Sequence, residues 1–175
     1  MTTDNPYAPP KANLNENENS SSADALMALP RFGTLWVILL SIITLSLYYV
    51  YWLCHRTALI NRYASNKIGM PFIVFALVVY FVSFVPIFID EYVPAAYATE
   101  YIYIVNMLDV FSSLIMLIWV FRIRNRLIDD VYGPPYDRTA VGPILTFFFQ
   151  IYYLQYTMNR EIDNHLQDQD KNAEA

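Results

Sequence analysis

The sequence predicts an all-α transmembrane bundle of four helices, on three observations. Hydrophobic residues fill 56% of the 175 positions and charged residues only 15%, where a soluble domain carries about 25% charged. Four apolar stretches, 34–54, 70–89, 101–121 and 142–158, hold one charged residue between them, Asp109. Basic residues alternate between the connecting loops: Arg56, Arg62 and Lys67 lie in 55–69 and Arg122, Arg124, Arg126 and Arg138 in 122–141, while 90–100 has none. Such a composition excludes a soluble enzyme and a fibre, and a lone Cys54 excludes a disulfide-stapled secreted domain.

The elements follow in chain order. Residues 1–33, rich in Asn, Pro and Ser, bury too little to offset ordering and read as a disordered tail, dispensable to about residue 28. No basic cluster opens the chain, so this is not a signal peptide. The first span, 34–54, has 21 uncharged residues, about 31 Å of helix and enough to cross a bilayer core. The second, 70–89, opens with Pro71, tolerated in a first turn, and carries Pro86 where a kink is expected. The third, 101–121, contains Asp109. The fourth, 142–158, is short and contains Gln150 and Gln155. A polar tail, 159–175, closes the chain, leaving 34–158 as the transmembrane domain.

Gly33, Gly69, Gly133 and Gly142 all lie at or beyond span ends, so helices must pack through bulky side chains rather than small-residue stripes. Trp36, Tyr51, Trp52, Tyr101, Tyr103 and Trp119 sit where interfacial belts are expected. The excess of Lys and Arg places loops 55–69 and 122–141 in the cytoplasm and both acidic termini outside. The alternative is a re-entrant 142–158, which leaves the C-terminus inside. SLYYVYWLCHR (46–56) aligns without gaps on QIYYLQYTMNR (150–160), matching two tyrosines and an arginine. Duplication and shared interfacial composition both account for the match. A two-plus-two duplication would pair the first span with the third instead.

Asp109 is the one ionisable group within a span, at an insertion cost of about 2.5 to 3.5 kcal/mol. Asn106, Asp109 and Ser113 share a helix face, a polar stripe expected to turn into the bundle, with Thr44, Tyr48 and Gln150 as possible partners. The stripe is either a hydrogen-bonded packing site or a protonatable site on a proton or cation path. Arg122, Arg124 and Arg126 serve as a topology signal or as contacts to anionic lipid. His55 and His165 lack partners at ligand spacing, so no metal is expected. Nucleophile-elbow, phosphate-loop and dinucleotide motifs are absent from the sequence, which predicts no catalytic residue and no cofactor.

The segment Leu29–Trp52, with Phe32, Thr34, Trp36, Ile43 to Leu45 and Leu47 to Trp52, resembles a family of small bacterial multipass inner-membrane proteins classed as domains of unknown function. So does FFQIYYLQYTMN, Phe148 to Asn159. Where that family tends to have a glycine before the tyrosine pair, this chain has Ser46 and Leu47. The resemblance implies a bacterial inner membrane and carries no activity. The expected function is a non-enzymatic structural or accessory membrane protein acting through helix–helix contacts. The alternative is a small transporter or channel subunit that uses Asp109 for proton or cation coupling. Expected partners are the lipid bilayer and a second copy or another membrane protein, and not nucleic acid.

Overall fold

The computed structural model describes residues 22–132 and 141–174; Gly133, Arg138 and the first 21 residues of the predicted tail lie outside them. Among the described residues the chain is all-helical, without strands. A helical turn over 22–27 precedes α1 (Thr34–Ile43), α2 (Leu47–Tyr63), α3 (Met70–Val82), α4 (Val85–Ile89), α5 (Ala98–Arg126) and α6 (Pro143–Glu174). Two 3₁₀ turns, Asp90–Tyr92 and Ala95–Tyr97, link α4 to α5, and a π turn, Leu127–Tyr132, extends α5. Ser65 fastens that turn to the α2–α3 loop, its backbone N–H and hydroxyl donating to Asp130 Oδ1 at 3.1 and 2.7 Å.

Two predicted spans are present as long apolar helices. Met70–Tyr92 (23 residues) and Ala95–Tyr132 (38 residues) are, among the described residues, the two helices long and apolar enough to cross a membrane. Pro71 occupies the first turn of α3. Near Pro86 the helix breaks, at Ser83 and Phe84, because proline cannot supply the N–H that a continuous helix needs.

The first predicted span, 34–54, is not a straight crossing. Arg56 Nη2 donates to the Pro30 carbonyl at 2.9 Å, whereas 26 residues of unbroken helix span about 39 Å. The Phe32 and Tyr48 rings also meet, at 6.4 Å. α1 and α2 therefore fold back on each other. A Schellman closure makes the turn: Ser46 N–H donates to the Ser41 carbonyl at 2.7 Å and Leu45 N–H to Ile42 at 3.2 Å. Leu45 (φ 48°) and Ser46 (φ 69°) both take left-handed backbone. The hydroxyls of Ser41 and Thr44 bond back to the carbonyls of Val37 and Leu40, weakening α1 where it ends, and Thr44 Oγ1 then accepts the Tyr48 N–H at 2.9 Å.

The fourth predicted span, 142–158, also reverses. Gln150 (φ 43°, ψ −121°) interrupts α6. Gly142 N–H donates to Tyr153 Oη at 3.1 Å, across 11 residues that a straight helix would separate by about 16 Å. Arms 143–149 and 151–174 thus form a second hairpin. α2 and the returning arm of α6 lie side by side and parallel, Tyr49 meeting Gln150 and both Trp52 and Arg56 meeting Gln155.

The core sits at the arginine-rich end. Trp119, Leu53, Ile60, Ile123, Leu127 and Leu154 are fully buried there, and Trp119 Nε1 donates to Thr57 Oγ1 at 2.9 Å. Bulky side chains make this packing, as predicted, yet Trp52 and Trp119 belong to the core rather than to an interfacial belt. Hydropathy cannot separate these two uses of tryptophan. Residues 22–33 are not a free tail, since Ala25, Leu26 and Leu29 are buried in the same cluster. The polar tail from 159 continues α6 as helix, with Ile162 buried and Asp163 paired to Arg31 at 2.9 Å.

Candidate functional site

Helix geometry sets the depth of each group. From Glu100 to Arg122 α5 runs about 33 Å, a bilayer's thickness, and Asp109 lies about 13 Å along it, near the middle. The ten residues of α1 make about 15 Å of helix, so the first hairpin reaches from the arginine-rich end to that same depth. Both hairpin tips arrive there. Ser46, Tyr49, Tyr80, Asp109, Ser112 and Gln150 line one cavity of about 320 Å³ together with Ser83, Ser113 and neighbouring apolar groups. The Tyr49 hydroxyl donates to Gln150 Oε1, joining tip to tip, and the Tyr80 hydroxyl donates to the Ser46 carbonyl at 3.3 Å.

The predicted stripe is brought together only in part. Asp109, Ser113 and Gln150 meet at the cavity and also at a groove of about 390 Å³ beside Val110, Leu117 and Phe147. Asn106 lies apart, in a cleft with Asp90 and Tyr101. Asn106, Asp109 and Ser113 are exposed rather than turned into packed protein. The Glu100 end of α5 has little covering it, because both hairpins stop partway along the helix. Thr44 and Tyr48 do not reach the carboxyl. Thr44 caps α2, and the turn aims Tyr49, not Tyr48, at the cavity. The sequence reading missed Tyr49, Tyr80 and the buried Ser112; only Ser112, three residues after Asp109, carried a local signal.

The three arginines after Trp119 separate as well. Arg122 is exposed, its guanidinium 3.9 Å from the Phe72 ring centroid, and Arg126 is half-buried. Arg124 is buried, not free for lipid: Nε donates to the Val141 carbonyl at 2.8 Å and Nη1 to Asn125 at 3.0 Å. It ties the second hairpin's entry to α5.

Beneath the cavity, the seam between α2 and the returning arm of α6 holds a second polar cluster that the sequence did not reveal. Gln155, fully buried, accepts at Oε1 from Trp52 Nε1 (2.9 Å) and Arg56 Nη2 (2.7 Å). Its Nε2 donates to the Phe32 carbonyl (3.1 Å) and to Asn159 Oδ1 (2.9 Å). Arg56 is 3% exposed, stands 5.6 Å from the Trp52 ring centroid, and has Nε and Nη1 buried without a hydrogen-bond partner. Among the described residues no three His, Cys, Asp or Glu side chains converge as a metal site. His55 stacks on Tyr51 at 5.7 Å.

Fold and site together define an all-helical protein with two helices long and apolar enough to cross a membrane. The chain belongs to the family described as domain of unknown function DUF4234, whose model matches residues 32–129. That match covers the first hairpin, Arg56 and Asp109 and ends before the second hairpin. No curated protein and no solved structure matches the chain.

Proposed function

We propose that the chain is an integral protein of the bacterial inner membrane with two crossings and two re-entrant hairpins. In it, Asp109 takes up and releases a proton or binds a cation as part of a small transporter or channel subunit. The observation that carries this reading is the convergence of both hairpin tips on Asp109 at mid-depth. Broken helices meeting at the bilayer midplane are a recurrent way to build an ion site. A carboxyl that served packing alone, as the accessory-protein expectation required, would be hydrogen-bonded to a neighbouring helix. Asp109 has no such partner among the described residues and opens onto polar space, so the transport alternative is adopted over the structural role. The protein is a binding and translocating device, not an enzyme.

The basic loops face the cytoplasm in this reading. Each hairpin enters and leaves on that side, so both termini are cytoplasmic, in place of the outside termini expected from four crossings. A second copy completes the assembly, because two crossings and two hairpins can hardly enclose a path alone. Proteoliposomes under a pH gradient test the site: wild-type protein should carry proton flux that Asp109→Asn abolishes at matched reconstitution, and equal flux from both would end the reading. A fusion after residue 175 tests the topology. A fluorescent, phosphatase-negative reporter is expected, and an active phosphatase would restore the four-crossing arrangement.

A further inference from the structure

The packed α2–α6 seam runs from the Asp109 cavity toward the arginine-rich end, and its upper contact, Tyr49 with Gln150, forms part of the cavity wall. Arg56 lies on that seam, seven residues past Tyr49 and about 10 Å further along α2. Its surroundings are unusual for a buried cation. Nη2 meets two neutral oxygens, of Pro30 and Gln155, while Nε and Nη1 meet none. Asp163 and Glu161, on the returning arm of α6, are paired with Arg31 and Arg160. Arg56 itself has no carboxylate among the described residues. An apolar side chain of similar volume generally costs a buried site nothing and often stabilises it. Stability therefore does not account for a desolvated guanidinium that meets only neutral oxygens and the Trp52 ring.

We propose that Arg56 is an electrostatic barrier that limits how fast protons and cations pass between the Asp109 cavity and the arginine-rich side, and so holds down uncoupled leak. The inference rests on the reading of Asp109 given above. A fixed positive charge on a narrow, water-poor seam repels protons and cations strongly. At about 10 Å and an intermediate dielectric, one unit charge changes the local population of another roughly tenfold or more. The neutral Gln155, saturated on both its oxygen and its nitrogen, holds the guanidinium in place without screening it.

The test uses full-length protein in proteoliposomes, with a potassium–valinomycin potential and an internal pH dye reporting proton leak. Arg56→Met, similar in length and apolar, should raise the leak about tenfold or more above wild type, and Arg56→Lys, which restores the charge, should return it to the wild-type level. In Arg56→Met/Asp109→Asn the leak should fall to that of Asp109→Asn. Folded Arg56→Met with wild-type leak overturns the barrier. A raised leak that persists in the double variant upholds the barrier and removes Asp109 from the path, so the two ideas fail separately. Should Arg56→Met not fold, Gln155→Glu decides. It keeps acceptors for Trp52 and Arg56 while supplying the missing counter-charge, so its leak should also rise, and an unchanged leak overturns the proposal.

Discussion

The two hairpins share a sequence signature and reach the same depth, yet they turn by different means. Residues 46 and 150 open the two aligned segments, and both take positive φ, 69° at Ser46 and 43° at Gln150. The two differ in ψ, 1° at Ser46 and −121° at Gln150, so only Ser46 takes the left-handed helical conformation and the aligned segments turn through different backbone geometries. The first hairpin turns over three residues, Thr44 to Ser46, with its own backbone closure and hydroxyl caps. The second turns at Gln150, whose side chain is held by Tyr49 of the first. One hairpin is thus locally specified, and the other takes its shape from its neighbour. Where two segments share a sequence pattern, the backbone of each turn and the side chains that secure it still differ.

The sharpest way to break this comparison lies at the aligned pair Tyr51 and Gln155. Gln155→Leu strands Trp52 Nε1 and takes away one of the two oxygens that meet Arg56 Nη2, the Pro30 carbonyl remaining, and should cost about 2 to 4 kcal/mol in thermal unfolding in detergent. Tyr51, exposed in the first hairpin, should tolerate Tyr51→Leu within about 0.5 kcal/mol. Similar losses at both positions would show that the two seams are equivalent after all.

Next comes the residue following the match. Thr57→Val removes the acceptor of Trp119 Nε1 and should cost about 1 to 3 kcal/mol, seen as a lowered melting temperature. Leu45→Gly removes a left-handed penalty and should stabilise by about 1 kcal/mol. Gln150→Gly should gain less, because it also gives up the Tyr49 bond. A larger gain at 150 than at 45 would contradict the dependence of the second turn on the first.

The smallest effect is expected at Glu161, the counterpart of Thr57. Burial raises its carboxyl above the usual range, partly opposed by the Asn164 hydrogen bond. The folded state therefore holds the Glu161 proton to higher pH than the unfolded chain does. Its contribution favours folding least once pH has risen from about 4.3 through the raised value. Glu161→Gln should flatten that decline in melting temperature across the window, and an unchanged slope would place the titration elsewhere.

Parts of this structure were legible in the sequence for specific reasons. Gly69, Pro71 and an uncharged run define α3, and α5 was found with its ends short by a few residues because Glu100 and Arg122 only flank the apolar stretch. The hairpins were not legible as such. Hydropathy is blind to chain direction, so a run that turns back scores as one that continues, and neither break contains Gly or Pro. The grouping of Asp109, Ser113 and Gln150 was readable because mid-span polar residues are rare. Tyr49, Tyr80 and the Arg56–Gln155 cluster were not, since their partners stand tens of residues away and tyrosine or arginine at a span end has a simpler explanation in the interface.

The first hairpin is synthesised before the groups that hold its tip. Its tip is held by Tyr80, and by Gln150 through Tyr49, so at the moment residues 34–63 leave the ribosome neither contact exists. Its ten-residue arm is also about half the length a membrane insertase retains as a span. Insertion in this reading begins with the pair Met70–Tyr92 and Ala95–Tyr132, while the first hairpin waits at the cytoplasmic surface. It enters the bilayer once the second hairpin has been made, which turns a late stage of biogenesis into a docking step governed by residues translated about a hundred positions later.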